Sequence, residues 1–276
     1  MTMSGRPSAS EPAAALSVDN VSMIFARGDK PVHALDRVSL NVRDREFIAI
    51  VGPSGCGKST LLKLVTGLRA PSTGRLFVYG RQVTKPRGDV GIVFQNPVLL
   101  PWRTIIENVV LPIDVLGLDG VLGRERARDL LDLVGLEGFE NAYPNELSGG
   151  MQQRAAIARA LVYDAPLLLM DEPFGALDAM TREQMNLELQ RIWSANAKTV
   201  VFITHSIPEA VFLADRIVVM SARPGRVLEI LDNPIPRLRS LDNMLEPEFG
   251  RRVREIRHLL GGHVATGEGH GGRADW

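Results

Sequence analysis

Ile48-Ala-Ile-Val-Gly-Pro-Ser-Gly-Cys-Gly-Lys-Ser-Thr-Leu-Leu, residues 48–62, decides the fold. A short apolar run reads as a buried strand. It breaks into a Gly-rich loop from Gly52 to Gly57, and Lys58, Ser59 and Thr60 then open a helix carrying Leu61, Leu62 and Leu64. Gly52, Gly57, Lys58 and Ser59 occupy the fixed positions of G-x-x-x-x-G-K-[ST]. A triphosphate needs many donors aimed into one concavity. The backbone N–H groups of the run Gly52, Pro53, Ser54, Gly55, Cys56, Gly57 supply them, Pro53 excepted, because glycines let the chain come close. The helix that follows points its positive end at the same place. Lys58 is expected to reach the β- and γ-phosphates, and Ser59 to put its hydroxyl on Mg²⁺, with Thr60 beside it. The competing reading is a Gly-rich turn that binds nothing.

The 276 residues suffice for one large domain or two small ones, and the apolar and charged fractions are ordinary for a globular protein. Formal net charge is zero, so no global field draws the chain to nucleic acid or anionic lipid, and no nucleic-acid partner is expected. The most apolar stretch, 200–220, is interrupted by His205, Pro208, Glu209, Asp215 and Arg216, far from a membrane span. The first fifteen residues lack the apolar core of a signal peptide and read as a disordered leader. A cytosolic chain is therefore expected. The single cysteine, Cys56, excludes an internal disulfide framework. In the phosphate loop it reads either as a small filler shielded by nucleotide or as a redox switch.

Outward from the loop, 16–25 and 34–42 alternate like an antiparallel pair around a turn holding Gly28 and Pro31. Short strands are expected at 75–79 and 89–94. From Thr104 to Leu161 the period turns helical: Ile105, Val109 and Ile113 repeat every fourth residue, with Pro112 expected to end or kink that helix. Further helices are expected at 124–134 and from Ser148 to Leu161. Strand-like runs return at 167–170, 199–203 and 216–220, separated by helices near 181–193 and 208–213, and 227–230 offers one more strand. A basic amphipathic segment at 251–260 precedes a Gly/His-rich tail, and His258, His263 and His270 lack helical metal-ligand spacing. The expected class is α/β: a P-loop NTPase (RecA-like) with a parallel-sheet core, an antiparallel β layer and an all-helical insertion. The division is a leader (1–15), a main domain (16–235, with the insertion at about 96–163) and a C-terminal extension (236–276).

Leu167-Leu-Leu-Met-Asp-Glu-Pro brings two carboxylates to a strand end, where ligands of such sheets bind. Asp171 is placed to complete a Mg²⁺ environment with Ser59, and Glu172 to polarise an attacking water. A helix N-cap pair is the alternative. At this point the chain resembles the ATP-binding subunit of an ABC transporter, over about 16–230. Leu147-Ser-Gly-Gly-Met-Gln-Gln-Arg resembles the signature of that family, Gln95 stands where its Q-loop begins, and Gly175-Ala-Leu-Asp resembles the D-loop, ending at Asp178. His205 matches the switch histidine, and Phe25 takes the place of the aromatic that stacks on adenine.

The resemblance implies ATP and Mg²⁺ as ligands, with Ser59, Gln95 and Asp171 around the metal. Glu172, His205, Gln95 and Lys58 would carry hydrolysis. Ser148, Gly149 and Gly150 would bind the γ-phosphate held by a second copy, so two subunits close head-to-tail on two ATP molecules, with Asp178 linking the sites. Four positions depart from the commonest forms: Met151 for glutamine, Gly175 for serine, Ser206 for an acid and Phe25 for tyrosine. Leu99-Leu-Pro-Trp-Arg-Thr and Arg223-Pro-Gly-Arg are similar to the importer group that takes up nitrate, taurine and alkanesulfonates. That implies a homodimer on the cytoplasmic face of the plasma membrane, a transmembrane permease as partner, and a solute-binding protein acting indirectly. Leu100 and Trp102 read either as permease contacts or as core residues of the insertion. An importer of another small solute stays open, and so do two other classes: a soluble ABC ATPase not coupled to transport, and a P-loop kinase, in which Glu172 and Ser148-Gly-Gly would have no purpose.

Overall fold

A computed structural model describes residues 14–26, 30–175, 177–196 and 198–262 of the protein. The antiparallel layer comes first in the chain. Strand β1 (Ala14–Phe25) pairs with β2 (Val32–Arg43) and with β4 (Thr73–Val78), and the two-residue β5 (Arg81–Gln82) closes the edge, giving the order β2-β1-β4-β5. Between β2 and β4 run β3 (Phe47–Val51), the phosphate loop and helix α1 (Lys58–Val65).

The second sheet is built on β3. With β6 (Val90–Val93), β7 (Leu167–Asp171), β8 (Thr199–Thr204), β9 (Arg216–Met220) and β10 (Val227–Asp232) it has the order β10-β9-β3-β8-β7-β6. All neighbours are parallel except β10 on β9. Every side chain of β3, β7 and β8 is buried, as a sheet covered on both faces requires. The two-residue side-chain period divides them. Phe47, Ala49 and Val51 join Leu168, Met170 and Phe202 in the core on the helical side. Ile48 and Ile50 join Leu167, Leu169 and Ile203 in the core shared with α1 and the antiparallel layer. The expected α/β class is thus observed, including the antiparallel layer.

Between β6 and β7 the chain is helical: α2 (Ile105–Leu116), α3 (Gly120–Leu133) and α4 (Gly149–Leu161). Ile105, Val109, Ile113, Leu131, Ile157 and Leu161 belong to the same core as the sheet residues, so these helices share the sheet's core. Pro112 does not end its helix, which continues to Leu116. The Thr104–Glu107 capping box anchors the start, and Ile105, Val109 and Ile113 are buried on one face, which outweighs the missing N–H of Pro112. Helix α3 starts at Gly120, ahead of the expected 124, because the Asp119 carboxylate accepts from the N–H groups of Val121 and Leu122.

Helices α5 (Ala179–Asn196) and α6 (Ile207–Leu213) separate the last parallel strands. The basic segment near the C-terminus is part of α7 (Pro247–Gly262), which lies on α6 and β9 and buries Phe249 and Ile256. Buried Arg239 pins the approach to α7, donating to the carbonyls of Phe212, Ala214 and Ile235. Residues 1–13 of the expected leader, Gly28 and the His-bearing tail lie outside the described residues. No helix among the described residues is long and apolar enough to cross a membrane.

Candidate nucleotide-binding site

Parallel strands deliver their C-terminal ends to one edge, so strand order dictates which loops meet. Along the order β9-β3-β8-β7-β6, the residues that follow each strand include Arg223, the phosphate loop, His205, Glu172 and Gln95. Arg223, the loop, Glu172 and Gln95 line a pocket of about 660 Å³, and His205 is tied to it through Glu172 without lining it. Ser54, Gly55, Gly57, Lys58, Ser59 and Thr60 form its floor, Gln95 and Glu172 belong to its wall, and Phe25, Val32 and Ala34 come from the antiparallel layer. Phe25 and Val32 are paired across β1 and β2. The Arg69 guanidinium lies 5.0 Å from the Phe25 ring centroid.

The loop conformation needs its glycines. Gly57 has φ +106°, and a Cβ there would lie 2.7 Å from Leu35 Cδ2 and 2.8 Å from the Ala34 carbonyl oxygen. At Gly52 a Cβ would come 2.9 Å from Cys56 Sγ. Lys58 is 5% exposed, and its ammonium donates to the carbonyls of Gly52 at 2.7 Å and Pro53 at 3.1 Å. The side chain is thereby folded back onto the loop. Cys56 is 1% exposed, which favours the filler reading over the redox one, with the Lys58 ammonium 3.8 Å from its Sγ.

Three of the expected catalytic side chains meet at one atom. Glu172 Oε2 lies 3.0 Å from His205 Nδ1 and 3.3 Å from Gln95 Nε2. Gln95 is itself steadied by α4: Gln153 donates to the Phe94 carbonyl, and Arg159 to those of Pro97 and Val98. Asp171, at the end of β7, is buried, and its Oδ1 has no hydrogen-bond partner. Burial pushes its carboxyl above the ordinary value of 3.8, against a hydrogen bond from Ser59 that favours the ionised form. A buried, unpartnered carboxylate oxygen next to a hydroxyl suits a small hard cation. Among the described residues no cluster of three or more His, Cys, Asp or Glu side chains could hold a metal, so a cation at Asp171 would draw its remaining ligands from hydroxyl, amide, phosphate and water.

Ser148, Gly149 and Gly150 are not brought to this pocket. Ser148 caps α4, accepting from the N–H of Met151 at 3.3 Å, and Gly150 packs under Leu177. Asp178 is also outside the pocket and caps α5 through Thr181. Within one chain, therefore, Ser148 and Asp178 serve as helix caps and do not line the pocket. Leu100 lines a separate apolar groove of about 450 Å³ with Val98, Leu111 and Val115. Trp102 is 72% exposed, which removes the core reading for it. Its loop is pinned by the Asn108 amide, which donates to the carbonyls of Leu100 and Arg103. Ala26, Val32, Ala34 and Arg223 line the nucleotide pocket without having been expected there. The first three carry no chemical signal in a sequence, and Arg223 belongs to a turn with no fixed spacing to the loop.

The geometry accords with the comparisons to known proteins. A family profile described as ABC transporter matches residues 35–175. The taurine import ATP-binding protein TauB of Rhizobium johnstonii is 49% identical, with 89% of this chain and 96% of that one aligned. The aliphatic sulfonates import ATP-binding protein SsuB of Bacillus cereus is 41% identical over 86% of this chain and 94% of its own. Among solved structures, the dimeric ATP-binding cassette MJ0796 in a post-hydrolysis state bound to ADP and Pi superposes with a TM-score of 0.73. It is 35% identical and covers 80% of this chain and all of that one.

Proposed function

The chain belongs to the ABC transporter family of ATP-binding subunits, and from that membership we propose that it powers import of a small anion such as taurine, an alkanesulfonate or nitrate. ATP hydrolysis is its chemistry. The observation that carries the site assignment is the meeting of Gln95 and His205 on Glu172 Oε2 at the rim of the phosphate pocket.

In this reading Phe25 stacks on the adenine. The loop from Gly52 to Thr60 wraps the phosphates, and Lys58 turns from the Gly52 and Pro53 carbonyls to the β- and γ-phosphate oxygens. Ser59, Asp171 and Gln95 would hold Mg²⁺, which would supply charge neutralisation to the phosphates. Glu172 accepts a proton from water, and His205 fixes that water and the γ-phosphate in line. The partner's Ser148, Gly149 and Gly150 complete the site from outside, because their free N–H groups at the start of α4 lie away from the chain's own pocket. Two copies thus enclose two nucleotides, and Asp178 joins the two sites. ATP favours the closed pair and ADP the open one, and that difference in affinity drives the cycle.

The subunit then sits at the cytoplasmic face of the membrane on a transmembrane permease. The groove beside Leu100 and the exposed Trp102 form the docking region, and a solute-binding protein delivers the anion on the far side. Steady-state ATPase assays test the pocket: Lys58→Ala is expected to lose nucleotide affinity or turnover, and near-wild-type hydrolysis would contradict the assignment.

A further inference from the structure

The turn that joins β9 to β10 presses against the phosphate loop backbone to backbone. A Cβ added to Gly225 would lie 2.0 Å from the Cys56 carbonyl oxygen. Hydrogen bonds fix the turn in that position. Gly225 N–H donates to Ala34 at 2.9 Å, and its carbonyl accepts from Asp36 N–H at 3.0 Å. The Ser221 hydroxyl donates to the Pro224 carbonyl at 3.0 Å and accepts from Arg226 N–H at 3.0 Å.

Two arginines leave this turn with different partners. Arg226 forms an ion pair with Asp36 at 2.6 Å. Arg223, among the described residues, has no carboxylate within ion-pair distance. Its Nε and Nη2 instead donate to the Gly55 carbonyl at 3.1 and 2.9 Å. A guanidinium has five N–H donors in a planar fork, so donors remain after this double bond to one oxygen. Arg223 also lines the nucleotide pocket, entering from the β9 side of β3 while Glu172 and Gln95 enter from the β7 and β6 side.

We infer that Arg223 is a nucleotide-positioning residue, bracing the phosphate loop through Gly55 and presenting its spare donors and uncompensated charge to the bound nucleoside triphosphate. The inference rests on the pocket assignment above. Bracing matters because Gly55 has φ +74°, in the left-handed region where the loop could otherwise relax, and the bond to Arg223 holds that peptide. Charge matters because a guanidinium facing a polyphosphate forms the stronger class of hydrogen bond.

The test uses the full chain and compares wild type with Arg223→Gln, Arg223→Lys and Lys58→Ala. Binding of a fluorescent ATP analogue and steady-state ATPase kinetics are measured. Arg223 is exposed, so unchanged melting temperatures are expected for its variants. Arg223→Gln should raise Kd and KM about tenfold, with kcat within about twofold of wild type. Arg223→Lys should recover most of the affinity by keeping the charge. Kd and KM within about twofold of wild type for Arg223→Gln, or a loss confined to kcat, would overturn the inference. Lys58→Ala separates the two levels. If it loses affinity or turnover while Arg223→Gln does neither, only the role of Arg223 falls; if it both binds and hydrolyses normally, the pocket assignment falls first.

Discussion

Glu172 occupies a backbone position with φ +47°, an uncommon place for a side chain with a Cβ, and its carboxylate is aimed at Gln95 and His205. An amide at that position keeps the shape and cannot take a proton. Glu172→Gln should therefore bind ATP and lower turnover about 100-fold or more, read as phosphate release under nucleotide saturation. Turnover within a few-fold of wild type would remove Glu172 from proton transfer. Behind His205, the buried Glu209 accepts from the Thr204 hydroxyl at 2.6 Å and faces Arg182 at 3.4 Å. Burial raises its carboxyl above the ordinary 4.5, more than Thr204, Arg182 and His205 lower it, and the charge of Glu172 adds to the rise. The folded chain thus binds this proton more tightly than the unfolded one. The resulting stability is fully present below pH 4.5 and is lost as pH rises through the folded value. In denaturant titrations, the stability of wild type relative to Glu209→Gln should fall from acid toward neutral pH. A rise over that interval would mean that the pairing with Arg182 outweighs burial. Residues with fixed spacing were legible at this scale: Lys58, Ser59, Asp171 and Glu172 follow from strand-loop chemistry. Arg223 was not, because its partner is a backbone carbonyl 168 positions away.

At the scale of elements, legibility tracked burial. The strands β3, β7, β8 and β9 are continuous apolar runs, and the structure has them within one residue of where the sequence pattern put them. Helix ends were harder, since caps and tertiary packing set them. Asp119 moves the start of α3 to Gly120, and Phe249 draws α7 back to Pro247. The Thr104–Glu107 box is a local signal of the same kind. The Thr104 hydroxyl accepts from Glu107 N–H at 3.4 Å, and the Glu107 carboxylate accepts from Thr104 N–H at 2.8 Å. Removing the hydroxyl frees an N–H donor at the start of α2, so Thr104→Ala should cost about 1 kcal/mol, visible as a lowered denaturation midpoint. An unchanged midpoint would show that burial of Ile105 and Val109 alone holds the helix.

At the scale of the whole molecule, strand order gathers the site, and a single chain leaves it open on one side. Loop residues from Ser54 to Thr60 and Glu172 line the pocket, while Ser148, Gly149 and Gly150 do not. The proposed relation between two copies rests on the family resemblance alone, because nothing local in a sequence states which copy supplies which face. The permease surface follows the same logic. Trp102 is exposed on a loop pinned by Asn108, and Trp102→Ala should leave ATPase of the isolated subunit unchanged while lowering anion uptake in the assembled transporter. Unchanged uptake would take Trp102 off the docking surface. The central claim is that ATP is enclosed between two copies. Sedimentation velocity of Glu172→Gln saturated with Mg²⁺ and ATP tests it most directly. The predicted result is a dimer that returns to monomer when ADP replaces ATP; a monomer with ATP fully bound would contradict the account.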